Sequence, residues 1–168
     1  MITRIIFISE CTFIVLDRRK FDETQDEIEA MIGDTNIFLK NDEDVEIGEI
    51  EVMIAEKNAR GKGIGKETVL MMLRYGSLEK KWHINLFFNF IHIFSILGIE
   101  NLQIKTYQAK ILMDNHQSIA MFHNLGFEKI GESTIFKEFT FEKQVNDEWI
   151  DWIIMRTKNY NVKEELIT

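Results

Sequence analysis

The stretch from Ile47 to Tyr75 constrains the fold more than any other part of the chain. Ile47–Ile54 (IGEIEVMI) alternates, with Ile50, Val52 and Ile54 on one face and Glu49, Glu51 and Met53 on the other. A two-residue period of this kind is a strand with one buried side. The glycine-rich run Arg60-Gly61-Lys62-Gly63-Ile64-Gly65 follows, and then Ile64, Thr68, Met71, Met72 and Tyr75 recur at helical spacing. A strand, a glycine turn and an amphipathic helix in succession require a layered arrangement of helix on sheet, with Gly76 as the expected helix stop.

The flanks supply the rest of a sheet. Cys11–Leu16 (CTFIVL) and Met31–Leu39 (MIGDTNIFL) read as strands joined by a charged linker, Asp17–Glu29. With a turn at Asn41–Glu46, the simplest arrangement of the first three strands is an antiparallel meander. Downstream, Leu102–Leu112 reads as a strand and Asn115–Asn124 as a helix stopped by Leu125-Gly126-Phe127. Two short strands are expected near Glu128–Gly131 and Thr134–Glu142. The fold class is therefore α/β (α+β), a mixed sheet flanked by helices. At 168 residues and 45% hydrophobic composition, the chain suits one domain with a real core. Residues 1–145 are read as that domain. Residues 146–168 are read as an acidic tail whose Trp149, Trp152, Ile153 and Ile154 suit a docking helix.

Charge and composition exclude several functions. A net charge of −8 argues against general binding to nucleic acid or anionic membranes. The single cysteine, Cys11, rules out an internal disulfide framework and a Cys-rich zinc site. The four histidines, His83, His92, His116 and His123, form no HExxH pair, so no metal is expected. Ile84–Ile99 (INLFFNFIHIFSILGI) falls short of the roughly 20 apolar residues of a spanning helix. It is also interrupted by Asn85, Asn89, His92 and Ser95. A buried or interfacial segment is the expectation, and no secretory signal is visible, so the expected location is the cytoplasm.

Glycines that open a helix make a candidate anion site, because backbone N–H groups can approach a phosphate unobstructed at an electropositive helix end. Lys57, Arg60, Lys62 and Lys66 form a local positive island in an acidic chain. The spelling fails for a Walker loop, since Gly65-Lys66 is followed by Glu67. It fails for the dinucleotide GxGxxG as well, because Gly65 comes one position early. A plain helix N-terminus with permissive glycines remains the alternative at this point.

The residues RGKGIG resemble the signature by which GCN5-related N-acetyltransferases (the GNAT superfamily) hold the pyrophosphate of acetyl-coenzyme A. Asn115-His116-Gln117-Ser118, followed by Phe122 and Leu125-Gly126-Phe127, resembles the superfamily's second signature, a helix flanking the pantetheine and thiol. Within the superfamily, CTFIVLD, GEIEVMIAE, RGKGIGKETVLMMLRYG and SIAMFHNLGFEKI are similar to the N-acetyltransferase 9-like proteins. The resemblance implies a mostly antiparallel sheet and acetyl transfer from acetyl-coenzyme A to a protein or peptide amine. It also implies tubulin or microtubules as a possible partner. By the same resemblance Arg60, Gly61, Lys62, Gly63, Ile64 and Gly65 bind the cofactor, together with Asn115, Ser118 and Phe122. The thioester carbonyl is expected to meet backbone N–H near Val52, Met53 and Ile54.

Acetyl transfer needs a base for the amine, and Glu51 and Glu49 are the candidates, with Glu51 first because it lies nearer that contact. A solvated acidic strand face explains the same pair. Many superfamily members carry a tyrosine acid seven residues after the helix-opening asparagine, where this chain has Phe122. Tyr107 and Tyr75 are the substitutes to consider. That departure keeps a second reading open, a catalytically weak acetyltransferase-like binding protein.

Two further departures concern the chain's organisation. The family places a strand and two helices before CTFIVL, whereas here only Met1–Glu10 stands there. The segment Ser77–Ser95 intervenes where the family has a short link, and it holds Phe87, Phe88, Phe90 and Phe94. It reads as an insert of the kind translated intron sequence leaves, with a genuine helix extension as the alternative.

Overall fold

The computed structural model describes residues 4–7, 10–42, 45–77 and 104–159. Most of the insert Ser77–Ser95 and all of the apolar stretch Ile84–Ile99 lie outside the described residues. Among the described residues, seven strands form one sheet in the order β1-β2-β3-β4-β5-β7-β6. They are β1 (Arg4–Phe7), β2 (Glu10–Leu16), β3 (Met31–Asp42), β4 (Val45–Ile54), β5 (Thr106–Leu112), β6 (Glu128–Ser133) and β7 (Glu138–Gln144). Neighbours are antiparallel except β4 and β5, which run parallel through the connection containing α3 (Ile64–Ser77). The mixed, mostly antiparallel sheet expected from the sequence is present, including the β2-β3-β4 meander.

Several boundaries differ from the sequence reading, each for a local reason. The charged linker is not extended: α1 (Arg18–Thr24) and α2 (Glu27–Ala30) form within it. Asp17 and Asp26 cap their first turns by accepting from backbone N–H groups two and three residues on. The expected turn at Asn41–Glu46 is tighter, since β3 and β4 stay paired as far as Asp42 and Val45. Arg4–Phe7 adds a strand along β2 that is too short for periodicity to mark. β7 starts only at Glu138, after a turn in which Lys137 takes a φ of 54°.

Gly76 does not stop α3, which continues to Ser77. A Cβ at Gly76 would run into the Tyr107 hydroxyl and lie 3.0 Å from Ile104 Cδ1, so this glycine serves helix-on-sheet approach instead. The Tyr107 hydroxyl donates to the Leu73 carbonyl at 3.1 Å and accepts from Ser77 Oγ at 3.1 Å. Ser77, the first residue of the expected insert, is thus part of α3.

The core lies on the α3 side of the sheet. Val69, Met72 and Leu73 of α3 join Phe13, Ile37, Ile50, Tyr107 and Ala109 in one buried cluster. Phe122 of α4 (His116–Asn124) and Trp149 and Ile153 of α5 (Asp147–Thr157) belong to the same cluster. Trp149 Nε1 donates to the Leu125 carbonyl at 2.9 Å, and Arg74 donates to the Thr157 carbonyl at 3.1 Å and to its hydroxyl at 3.0 Å. Helix α5 is therefore fastened to the domain at both ends. Among the described residues no helix is long and apolar enough to cross a membrane.

Candidate active site

The β4–β5 ladder is short. Its pairs are Ile47–Thr106, Gly48–Tyr107 and Glu49–Gln108, whereas β4 runs on to Ile54 and β5 to Leu112. Past Glu49 the strands part, so the edge of β4 that would have faced β5 opens onto a cleft of about 560 Å³. Backbone N–H and C=O groups on such an edge need a partner from outside the sheet. Val52, Met53 and Ile54 line one wall of the cleft, and the loop and first turn of α3 line the next.

That loop is built to leave its backbone bare. Gly61 and Gly63 adopt φ values of 72° and 84°, in the left-handed region, and a Cβ at either would meet nothing within 4 Å. Gly65 plays a different part: a Cβ there would rest 3.7 Å from Ile54 Cγ1, so it sets the helix start against β4. The first helical hydrogen bond runs from Glu67 N–H to the Gly63 carbonyl at 3.0 Å. The N–H groups of Ile64, Gly65 and Lys66 precede it and have no intrahelical acceptor, as at any helix start. Arg60 spends its guanidinium on the end of β4, donating to the carbonyls of Ile54 at 2.7 Å and Ala55 at 3.1 Å. It pins the loop, and its fixed charge stays on the cleft wall. Open backbone, free N–H groups and flanking Lys66 fit the diphosphate end of a nucleotide-like ligand.

Helix α4 makes the third wall. Asn115 caps it, with Oδ1 accepting from Ser118 N–H at 3.1 Å, and both residues line the cleft. Asn115→Ala should lower stability by about 1 kcal/mol, the usual cost of a lost cap, measured by denaturant unfolding. Gln117 of the same motif also lines the cleft, as do Met121 and Asn124, which were not singled out in the sequence. Their spacing on the helix that Asn115 opens was the signal that marks them.

Not every expected residue reaches this cleft. Lys62 and Phe122 are not among its lining residues. Phe122 is 3% exposed and points to the core, edge-on to Phe127 with ring centroids 5.0 Å apart. Tyr107 is fully buried, and burial pushes its phenol well above the ordinary range. Tyr75 packs edge-on to Phe13. Neither tyrosine lines the cleft.

The two glutamates are equivalent in the sequence and different in space. Glu49 is buried, and burial alone would raise its pKa, but hydrogen bonds from Lys40 and Lys110 more than compensate and hold it below the usual value. Glu51 is exposed, and partial desolvation with repulsion from Glu49 and Asp34 raises its pKa. A carboxyl of raised proton affinity is the better proton acceptor of the two. Among the described residues no group of three or more His, Cys, Asp or Glu side chains is placed to hold a metal ion.

Residues 8–128 match the model of the acetyltransferase (GNAT) domain. The chain belongs to the GNAT acetyltransferase family. It is 40% identical over 140 residues to an N-acetyltransferase 9-like protein of Nematostella vectensis, covering 83% of this chain and 60% of that one. It is 37% identical over 156 residues to the human alpha/beta-tubulin-N-acetyltransferase 9, covering 92% and 65%. The chain thus spans about three-fifths of the length of these curated relatives. Solved structures share its fold at low identity. A nucleotide-linked sugar GNAT, FdhC, superposes with a TM-score of 0.59 at 10% identity, over 91% of this chain and 66% of that one. A Methanocaldococcus jannaschii domain gives 0.54 at 21%, over 83% and 69%. The resemblance carried by RGKGIG and NHQS is thereby borne out at the level of family and fold.

Proposed function

We propose that this chain is an acetyl-coenzyme A-dependent N-acetyltransferase acting on a protein or peptide amine in the cytoplasm. One observation carries the reading: the open edge of β4 and the bare-backbone start of α3 share a single cleft. In this reading the loop from Arg60 to Gly65 and the first turn of α3 bind the diphosphate. The Asn115 helix walls the pantetheine arm, and Val52–Ile54 present backbone N–H to the thioester oxygen. Acetyl-coenzyme A supplies the activated acyl group. Glu51 takes the first proton from the acceptor ammonium, directly or through a water; the amine forms its C–N bond as the C–S bond breaks, and the nitrogen's second proton passes to solvent. The departing sulfur takes its proton from solvent, since Phe122 has none to give.

Three relatives are named alpha/beta-tubulin-N-acetyltransferase 9, which makes tubulin the acceptor to try first. The second reading, a weakly active or inactive binding protein that associates with microtubules, is favoured by the burial of Phe122 and Tyr107 away from the cleft. Calorimetric titration with acetyl-coenzyme A, followed by mass spectrometry of tubulin incubated with both, separates the readings. Binding with acetylated tubulin supports the transferase. Binding to acetyl-coenzyme A and microtubules without acetylation supports the second, and no acetyl-coenzyme A binding rejects the transferase reading.

A further inference from the structure

Three strands meet at one carboxylate beside the split. Glu49 of β4 accepts from Lys40 Nζ of β3 and is approached by Lys110 Nζ of β5, at 3.1 Å from Oε2 and 3.4 Å from Oε1. Glu49 and Gln108 form the last pair of the β4–β5 ladder, so Lys110 stands two residues beyond it, on the far side of the opening. Tyr107, Ala109 and Ile111 alternate into the core, which puts Lys110 on the face that carries Glu49 and Glu51. Its side chain reaches back across the split to Glu49.

We propose that Lys110 is a positioning residue: clasped by Glu49 at the mouth of the β4–β5 split, it holds a fixed cation on the sheet face of Glu51, the residue that receives the acceptor's proton. The proposal rests on the reading of Glu51 as the proton acceptor. Among the described residues, the charged groups acting on Glu51 are Asp34 from β3, Glu49 from its own strand, Glu138 from β7 and Lys110 from β5. Three are anions that favour the protonated carboxyl, and Lys110 opposes them. An exposed lysine alone holds no fixed place at such a mouth. Glu49, buried and braced by Lys40 from the other side, gives Lys110 its anchor, and Lys110 in turn binds its proton more tightly through Glu49.

Carboxyl-carbon NMR titration of Glu51 in the free full chain tests this, with the resonance assigned by its loss in Glu51→Gln. The Glu51 midpoint should move up in Lys110→Met and stay near wild type in Lys110→Arg. In Glu49→Gln it should move down, because the repulsion from Glu49 outweighs the attraction of Lys110. If Glu49 fixes Lys110 in place, the upward shift caused by Lys110→Met should shrink in a Glu49→Gln background, and an equal shift in both backgrounds overturns the clasp. A midpoint unmoved by Lys110→Met, or moved upward by both Lys110→Met and Glu49→Gln, overturns the proposal. The titration uses no acetyl-coenzyme A, so its failure is distinct from failure of the transferase reading, which shows as absent ligand binding.

Discussion

Replacing Glu51 by glutamine should lower turnover about a hundredfold while leaving acetyl-coenzyme A affinity nearly unchanged. Glutamine keeps the size and reach of the side chain but removes its charge and with it its capacity to take a proton. Glu51 is exposed and lies outside the cleft lining, so cofactor contacts should not change. Glu49 is no understudy, since Lys40 and Lys110 already engage its carboxylate. The pH dependence follows with a definite sign. Desolvation and the nearby Glu49 and Asp34 raise the Glu51 pKa, so activity should climb with pH through a limb above the ordinary glutamate range. Steady-state kinetics of wild type and Glu51→Gln across pH, with calorimetry for the ligand, check both statements. Equal turnover would return Glu51 to a solvated strand face.

Gly63→Val should weaken acetyl-coenzyme A binding at least tenfold, about 1.4 kcal/mol. Gly63 sits at φ 84°, where a β-branched residue is strained, so valine forces the loop to another conformation. The Gly63 carbonyl also receives the first hydrogen bond of α3, so any such shift moves the helix start and its free N–H groups. Gly65→Ala is the control: its Cβ would make an ordinary 3.7 Å contact with Ile54 at an unstrained φ, and affinity should change far less. Calorimetric titration of both variants decides the matter, and equal affinities for Gly63→Val and wild type would remove the loop from the ligand site.

Most of the cleft is legible in the chain because it is made of local features. The alternation of Ile47–Ile54, the glycines of the turn and the cap at Asn115 each act within a few residues. Ten of the twelve residues expected to bind the cofactor line the same cleft, Lys62 and Phe122 being the others. Phe122 shares a helix with Ser118 and Asn124 but lies on its inward side, a distinction settled by Phe127 packing against it. Gly76 shows the same limit. Its neighbours suggest a helix stop, and only the approach of Tyr107 reveals why a glycine is needed there.

The alternation and the glycine turn by themselves determine that a strand, an open phosphate-type loop and a helix follow one another, since backbone preference and periodicity operate at short range. Which glutamate is free and which is held was decided by the tertiary structure alone. Glu49 and Glu51 are two residues apart on one strand face, and no local rule separates them. The partners that do so, Lys40 and Lys110, come from strands on either side, 9 and 61 residues distant in sequence. The gap between β4 and β5 is decided in the same way, because where a ladder ends depends on how two distant strands meet across α3. Electrostatics and strand pairing act through space, so the chemistry of the site appears only when the sheet closes around it.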